Sequence, residues 1–308
     1  MNHFGFVSGF LTLVLPAILG YWARKLNLIS ESAEGDLNRL VYYFALPAMV
    51  LSNLFTADLR ALFGPQLLVQ IFVIIIAIIM FMIGNRLLPG ERETGGPLAI
   101  ATMSAFYANL GNIGMPIAIA LFGDASIMVP FILLQQLIFM PIALALLERA
   151  TTGSFSAKQL MALPFKNPLL LTAFFGLIVS AFRIPIPELI SRPIQVVGQG
   201  AVPMVMIGFG AGLVGRKMLN ESRHRAVLAI AIKSIIMPLI ALAVVTILHL
   251  ELREAMIAVM VAGLPTAGNV YNFAHKFNTG LPMARNTVAA TTIISPIVIA
   301  ILALAMSA

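Results

Sequence analysis

Apolar residues along this chain fall into long unbroken runs separated by short polar connections. A run such as "LLVQIFVIIIAIIMFMIG" (Leu67 to Gly84) is apolar on every face, whereas a membrane barrel strand alternates lipid-facing and lumen-facing positions. The pattern therefore predicts helices. A bilayer's hydrocarbon core of about 30 Å takes roughly 20 apolar residues per helix. Ten such segments fit without overlap: Phe6 to Tyr21, Arg39 to Leu54, Gln66 to Leu88, Pro97 to Leu121, Ser126 to Leu147, Pro168 to Phe182, Val196 to Val214, Ala226 to Leu248, Ala255 to Ala274 and Pro282 to Met306. The expected class is an all-α integral membrane protein. The first segment has no basic stretch before it and no small-residue cleavage site, and its charges, Arg24 and Lys25, come after it, so it is expected to be retained.

Two segments contain residues that break helices. In the fourth, Asn109, Gly111, Asn112, Gly114 and Pro116 cluster near the middle; in the ninth, Gly263, Pro265, Gly268 and Asn269 do so, followed by Tyr271 and Asn272. Proline removes a backbone donor, glycine weakens a helix, and an unpaired backbone group in hydrocarbon costs several kcal/mol. Such interruptions persist only where protein or a polar cavity satisfies them. The longest polar stretch between segments, Glu148 to Asn167, divides them five and five. The first half is residues 1–150, the connector 151–166 carries a short amphipathic segment, and the second half is 167–308. "FALPAMVLS" (Phe44 to Ser52) aligns with "GAVPMVMIG" (Gly200 to Gly208), and "GMP" (Gly114 to Pro116) aligns with "GLP" (Gly263 to Pro265). Five is odd, so the second half enters the membrane from the opposite side, and the halves are expected to be inverted repeats with a site at the midplane between the two broken helices. Their restarted halves offer free N–H groups and the positive end of a helix dipole, which suits an anion such as a carboxylate.

Composition agrees: 60% of the 308 residues are hydrophobic and 10% charged. The net charge of +7 is sorted by loop rather than gathered on a face. Odd-numbered loops hold most of the lysines and arginines and even-numbered loops hold Arg60, Arg183, Arg192 and Arg253. The positive-inside bias then puts the odd loops in the cytoplasm and both termini on the non-cytoplasmic side of the cell (inner) membrane. A nucleic-acid-binding surface would not sort its charges this way, and none is expected.

The acidic residues all lie in loops or at segment ends, so no carboxylate is available at mid-depth to carry a cation or proton. Lys233 is the one basic residue well inside a segment; Arg39, Arg86 and Arg285, at segment ends, count with the odd loops. Snorkelling to the surface accounts for it, with balancing of substrate charge or bracing of the broken helices as the alternatives. Gln135 and Gln136 are expected to hydrogen-bond between helices, with lining a cavity as the alternative, and Thr291, Thr292 and Ser295 to bond back to their own helix. "GFGAGLVG" contains G-x-G-x-x-G but follows no strand, so it is no dinucleotide site; Gly208 and Gly212 within it form a G-x-x-x-G packing face for the bundle or a dimer. With no cysteine, no metal spacing among the four histidines and no paired catalytic groups, neither enzyme chemistry nor a cofactor is expected.

At these residues the chain resembles the auxin efflux carrier family, which includes plant auxin exporters and bacterial permeases associated with malonate, malate and related acids. The resemblance rests on "LNRLVYYFALPAMVLSNLF" (Leu37 to Phe55), "NLGNIGMPIAIALFG" (Asn109 to Gly123), "KSIIMPL" (Lys233 to Leu239) and "AGLPTAGNVYNFAHKFN" (Ala262 to Asn278). It implies a fold similar to sodium/proton antiporters. Segments one, two, six and seven would form a scaffold, often dimeric, and the others a moving transport unit with crossed segments four and nine. It also implies a small organic anion as substrate, contacted by Asn109, Asn112, Gly114 and Pro116 on one side and Gly263, Pro265, Asn269 and Asn272 on the other. An inside-negative potential is worth about 2.3 kcal/mol per charge per 100 mV, so export of a monoanion needs no coupled ion, whereas uptake would.

Overall fold

The computed structural model describes residues 3–55, 57, 63–153, 167–212, 214 and 223–307. Most of the connector, with Lys158 and Lys166, and the loop cations Arg60, Arg216 and Lys217 lie outside the described residues, as does Gly215 of the glycine motif. Among the described residues the chain is helical and contains no strand, only one isolated bridge. In order the helices are α1 (His3–Lys25), α2 (33–54), α3 (Pro65–Leu87), α4 (Gly95–Phe106), α5 (Leu110–Phe122), α6 (Ser126–Thr151), α7 (Pro168–Ala181), α8 (Glu188–Gly212), α9 (His224–Ile247), α10 (Leu252–Gly263), α11 (Gly268–Lys276) and α12 (Leu281–Ser307). Five of them, α3, α6, α8, α9 and α12, are long and apolar enough to cross a bilayer, and α4, α5 and α7 are shorter apolar helices. The expected fourth and ninth segments are each two helices: α4 with α5, and α10 with α11.

Proline explains a recurrent irregularity. Four helices widen into a five-residue π turn, at Val41–Ala45 in α2, Leu110–Gly114 in α5, Gln135–Phe139 in α6 and Ile232–Ile236 in α9. In each case a proline stands two residues after the turn: Pro47, Pro116, Pro141 and Pro238. A proline lacks the N–H that would bond four residues back, and its ring collides with that carbonyl. The wider turn moves the carbonyl aside and keeps the helix going, so these prolines bend helices rather than end them.

The helices pack in two groups. Helix α1 lies along α8, and α2 packs on α7 and α8; in the other group α3, α4, α6, α9, α10 and α12 pack on one another, and α11 packs on α12. Close approach in the first group depends on glycine: a Cβ on Gly210 would stand 1.8 Å from the Ala17 carbonyl oxygen, and one on Gly20 would stand 2.0 Å from that of Ile207. Gly208 and Gly212 face Glu34 and Leu37 at the start of α2. The G-x-x-x-G face is therefore used inside the bundle.

Two apolar cores follow. One, with Val73, Phe81, Ile100, Met103 and Ile232, lies within the second group. The other, with Leu46, Met49, Leu54, Ile117, Met128, Met260 and Leu264, joins α2, α7 and α8 to α5, the start of α6 and α10.

Candidate functional site

Helix α4 stops at Phe106, and the chain leaves the helical conformation over residues 107–109, with Tyr107 extended, before α5 begins. Helix α10 stops at Gly263, and Leu264 and Ala267 are extended before α11 begins. The two extended segments meet as antiparallel neighbours at Ala108 and Thr266. Asn109 N–H donates to the Pro265 carbonyl at 2.8 Å, and Ala267 N–H donates to the Tyr107 carbonyl at 2.9 Å. Each break thus supplies part of the hydrogen bonding that the other has lost.

Side chains from neighbouring helices complete the accounting. Gln135, in the π turn of α6, accepts from Ala108 N–H at 2.9 Å and donates to the Ala108 carbonyl at 2.8 Å. Thr291 of α12 accepts from Thr266 N–H at 3.0 Å while donating to the Thr287 carbonyl at 2.7 Å. The Thr266 hydroxyl donates to the carbonyl of Ser104, near the end of α4, at 2.7 Å. Lys233 is completely buried, and its Nζ donates to the Ala262 carbonyl at the end of α10 at 2.8 Å. The last carbonyls of a helix have no partner of their own, so Thr266 and Lys233 serve as caps for α4 and α10. Lys233 does not snorkel; it braces the second break.

The two restarted helices differ at their first turn. Asn109 Oδ1 accepts from Asn112 N–H at 3.2 Å, and the Asn109 carbonyl accepts from Gly114 N–H at 2.9 Å, so α5 is capped by its own residues. Helix α11 follows Ala267, which has no side-chain cap. The N–H groups of Gly268 and Asn269 have no acceptor within their helix, and the space beside Gly268 is open.

A cavity of about 630 Å³ opens against this crossing. Its wall is rich in neutral amides: Asn109, Asn112 and Gln136 from one side, Asn269 and Asn272 from the other, with Asn38 and Asn167 also in the lining. Tyr42, Tyr107 and Tyr271 add aromatic surface, and Tyr107, fully buried, has no hydrogen-bond partner for its hydroxyl. Among the described residues, the charged side chains in the lining are Glu34 and Arg285. On the far side of the crossing the packing is apolar, with a void of only about 10 Å³ among Leu121, Met256, Met260 and Ile299. No group of acidic and histidine residues suited to a metal occurs among the described residues.

Of the residues expected from sequence, Asn109, Asn112, Asn269 and Asn272 are brought together on the cavity wall. Gly114, Pro116, Gly263 and Pro265 are not part of the lining, nor is Lys233. Gly114 admits the Leu264 side chain and Gly263 admits Ile299, contacts in which a Cβ would come within 3 Å of a side-chain carbon. The motif pairing of Pro116 with Pro265 is also not what meets in space: Pro116 lies within α5, after its break, whereas Pro265 lies in the extended segment itself. Gln135 does both things weighed for it, bridging helices and lining the cavity. Sequence reasoning missed Asn38, Asn167, Tyr107 and Arg285. The last had been counted only as a loop cation, and nothing local marks it as facing a cavity.

The family model described as membrane transport protein matches residues 6–303. The chain is similar to an uncharacterized transporter, MJ1031, of Methanocaldococcus jannaschii, at 19% identity over 94% of this chain and 96% of the relative. It is similar to the uncharacterized transporter YfdV of Escherichia coli K12, at 23% identity over 89% and 88%. A Rhizobium meliloti protein named "Putative malonate transporter" is 26% identical over 92% of this chain and 91% of the relative. The chain belongs to the membrane transport protein family of the auxin efflux carriers and is a multi-pass membrane protein.

Proposed function

We propose that this protein is a secondary transporter that carries a small organic anion, a mono- or dicarboxylate, through the membrane by alternating access. The observation that carries the reading is the pairing of two helix breaks at the base of an amide-lined cavity. The open amide end of α11 and the side chains of Asn109, Asn112, Asn269 and Asn272 receive the carboxylate, offering donors suited to negative charge. Helices α1, α2, α7 and α8 act as the scaffold and the remaining helices as the transport unit.

The halves, 1–150 and 167–308, are read as inverted repeats. This is supported by Gln135 of α6 and Thr291 of α12, each of which reaches back to the backbone of its own half's break. The homodimer that the family implies uses a face other than Gly208 and Gly212, which α2 covers.

With the odd loops in the cytoplasm, the cavity, whose lining includes Glu34, Asn167 and Arg285 close to those loops, is read as the inward one. The apolar core across the crossing is then the outer seal. An inside-negative potential drives a monoanion outward, so export is the favoured direction.

The test is counterflow of labelled carboxylates in proteoliposomes, with and without an imposed potential. Trans-stimulated exchange that accelerates outward under an inside-negative potential is expected, with loss of binding in Asn112→Ala and Asn269→Ala. Flux without counterflow would point to a channel on the same scaffold and overturn the carrier reading.

A further inference from the structure

We infer, resting on the anion-carrier reading above, that the substrate's carboxylate is held at one point of the cavity, by the amides of Gly268 and Asn269 at the start of α11 together with the hydroxyl of Tyr107. Two independent observations meet there. The first is the bare helix end: α11 runs for nine residues after Ala267, has no side-chain cap, and leaves open space beside Gly268. The second is the hydroxyl. Tyr107 is fully buried and belongs to the cavity lining, and its oxygen has no hydrogen-bond partner. Gln135, beside it, spends its carboxamide on the N–H and carbonyl of Ala108. Among the described residues the one other buried hydroxyl in this condition, that of Thr287, is not part of the lining.

The backbone sets the two features side by side. The Tyr107 carbonyl accepts from the N–H of Ala267, the residue from which α11 starts, and Tyr107, Ala267, Gly268 and Asn269 line the same cavity. A buried hydroxyl without a partner destabilises a fold, and phenylalanine would fill the same place without that penalty. The oxygen therefore contributes nothing to the packing of the empty protein. A carboxylate supplies the missing acceptor, and a hydrogen bond to an ionised oxygen is among the stronger ones. The hydroxyl is closed to water in this state. Tyr42 of α2, in the scaffold, lines the cavity near it, so the ring stands where the transport unit faces the scaffold. Its bond to the carboxylate forms as the two close on the substrate.

The experiment uses the purified full chain and a panel of short-chain mono- and dicarboxylates with benzoate, measured by binding and by proteoliposome exchange beside the unfolding midpoint of the ligand-free protein. Tyr107→Phe should leave that midpoint unchanged or raise it, weaken each acid that binds by about tenfold, and lower the maximal exchange rate. Gly268→Pro probes the other donor. Proline is tolerated at the first position of a helix, and Ala267 already has the extended conformation that a residue before proline adopts. The substitution deletes one amide donor and should weaken the same acids by a similar factor in folded protein. Tyr107→Phe combined with Gly268→Pro should weaken them by less than the product of the two separate factors, because both donors act on one carboxylate.

Acids that bind Tyr107→Phe as tightly as the unaltered chain would overturn the inference and leave the anion carrier standing. So would a lost affinity accompanied by a lowered midpoint, which would make the hydroxyl a structural group, or two losses that simply multiply, which would put the donors on different groups. If no acid of the panel binds or exchanges with the unaltered chain, the carrier reading itself falls and this inference with it.

Discussion

At the first break one glutamine satisfies both polar groups of Ala108, and the helix that follows is capped by its own asparagine. At the second break the work is divided: Thr291 takes the Thr266 amide, Lys233 takes the Ala262 carbonyl, and the helix that follows has no side-chain cap. The two extended segments are otherwise matched, since each donates one backbone hydrogen bond to the other. The difference lies in what faces the cavity. Gln135 both supports the first break and forms part of the cavity wall, whereas Lys233 stands behind the second break and outside the lining. The first break is the closed side of the crossing, and the second offers the unspent amides.

Removing the glutamine should have the largest effect. Gln135→Met keeps the volume but leaves the Ala108 N–H unpaired and removes one of the two donors to the Ala108 carbonyl, which still accepts from Leu110 N–H. Interhelical hydrogen bonds in membranes average about 0.6 kcal/mol and stranded buried groups cost about 1–3 kcal/mol each. A loss of about 2–3 kcal/mol is therefore expected, read as a lowered midpoint in detergent or denaturant unfolding. An unchanged midpoint would mean that the first break does not depend on this clamp.

Lys233→Met should cost less, about 1–2 kcal/mol, because it strands the Ala262 carbonyl but also removes a buried amine. Transport should fall with stability while the affinity of the surviving folded protein is retained. A selective loss of anion affinity would instead make Lys233 a charge-balancing residue.

Ala267→Asp sharpens the contrast from the other direction. It gives α11 the N-cap that it lacks, in the extended backbone conformation a cap requires, and should raise stability by up to about 1 kcal/mol. It also puts a carboxylate where the substrate's would sit, so transport should be abolished. Retained transport would show that the α11 amides are not the anion's seat.

The smallest stability changes are expected for Asn112→Ala and Asn269→Ala, each within about 0.5 kcal/mol. Their effect on binding should be unequal. Asn112 contributes its backbone amide to the cap of its own helix, while Asn269 stands in the uncapped first turn, so Asn269→Ala should weaken a carboxylate more. Equal losses in a direct binding assay would remove the distinction between the breaks.

Much of this was written locally along the chain, and the misplacements have a common cause. The clusters at Asn109 to Pro116 and Gly263 to Asn272 predict two interruptions, and both occur. The first lies at 107–109, slightly ahead of its glycines and proline, because Pro116 widens α5 into a π turn instead of ending it. The asparagines were legible as cavity residues because an unpaired amide in an apolar helix needs a partner. Gly114 and Gly263 carry the same sequence signal as their neighbours, yet they serve packing, since a missing Cβ reads alike whether a ligand or a leucine fills its place.

The sequence by itself determined that the chain is helical and membrane-embedded, where its helices break and which amides flank the breaks. Hydrophobic runs and proline act over a few residues, so their consequences are local. Tertiary structure alone decided that Ala108 meets Thr266, that Lys233 caps a helix rather than reaching the surface, and that Arg285 and Glu34 share one cavity. Those outcomes join residues from separate helices, and no periodicity along a single helix encodes which neighbour it will face.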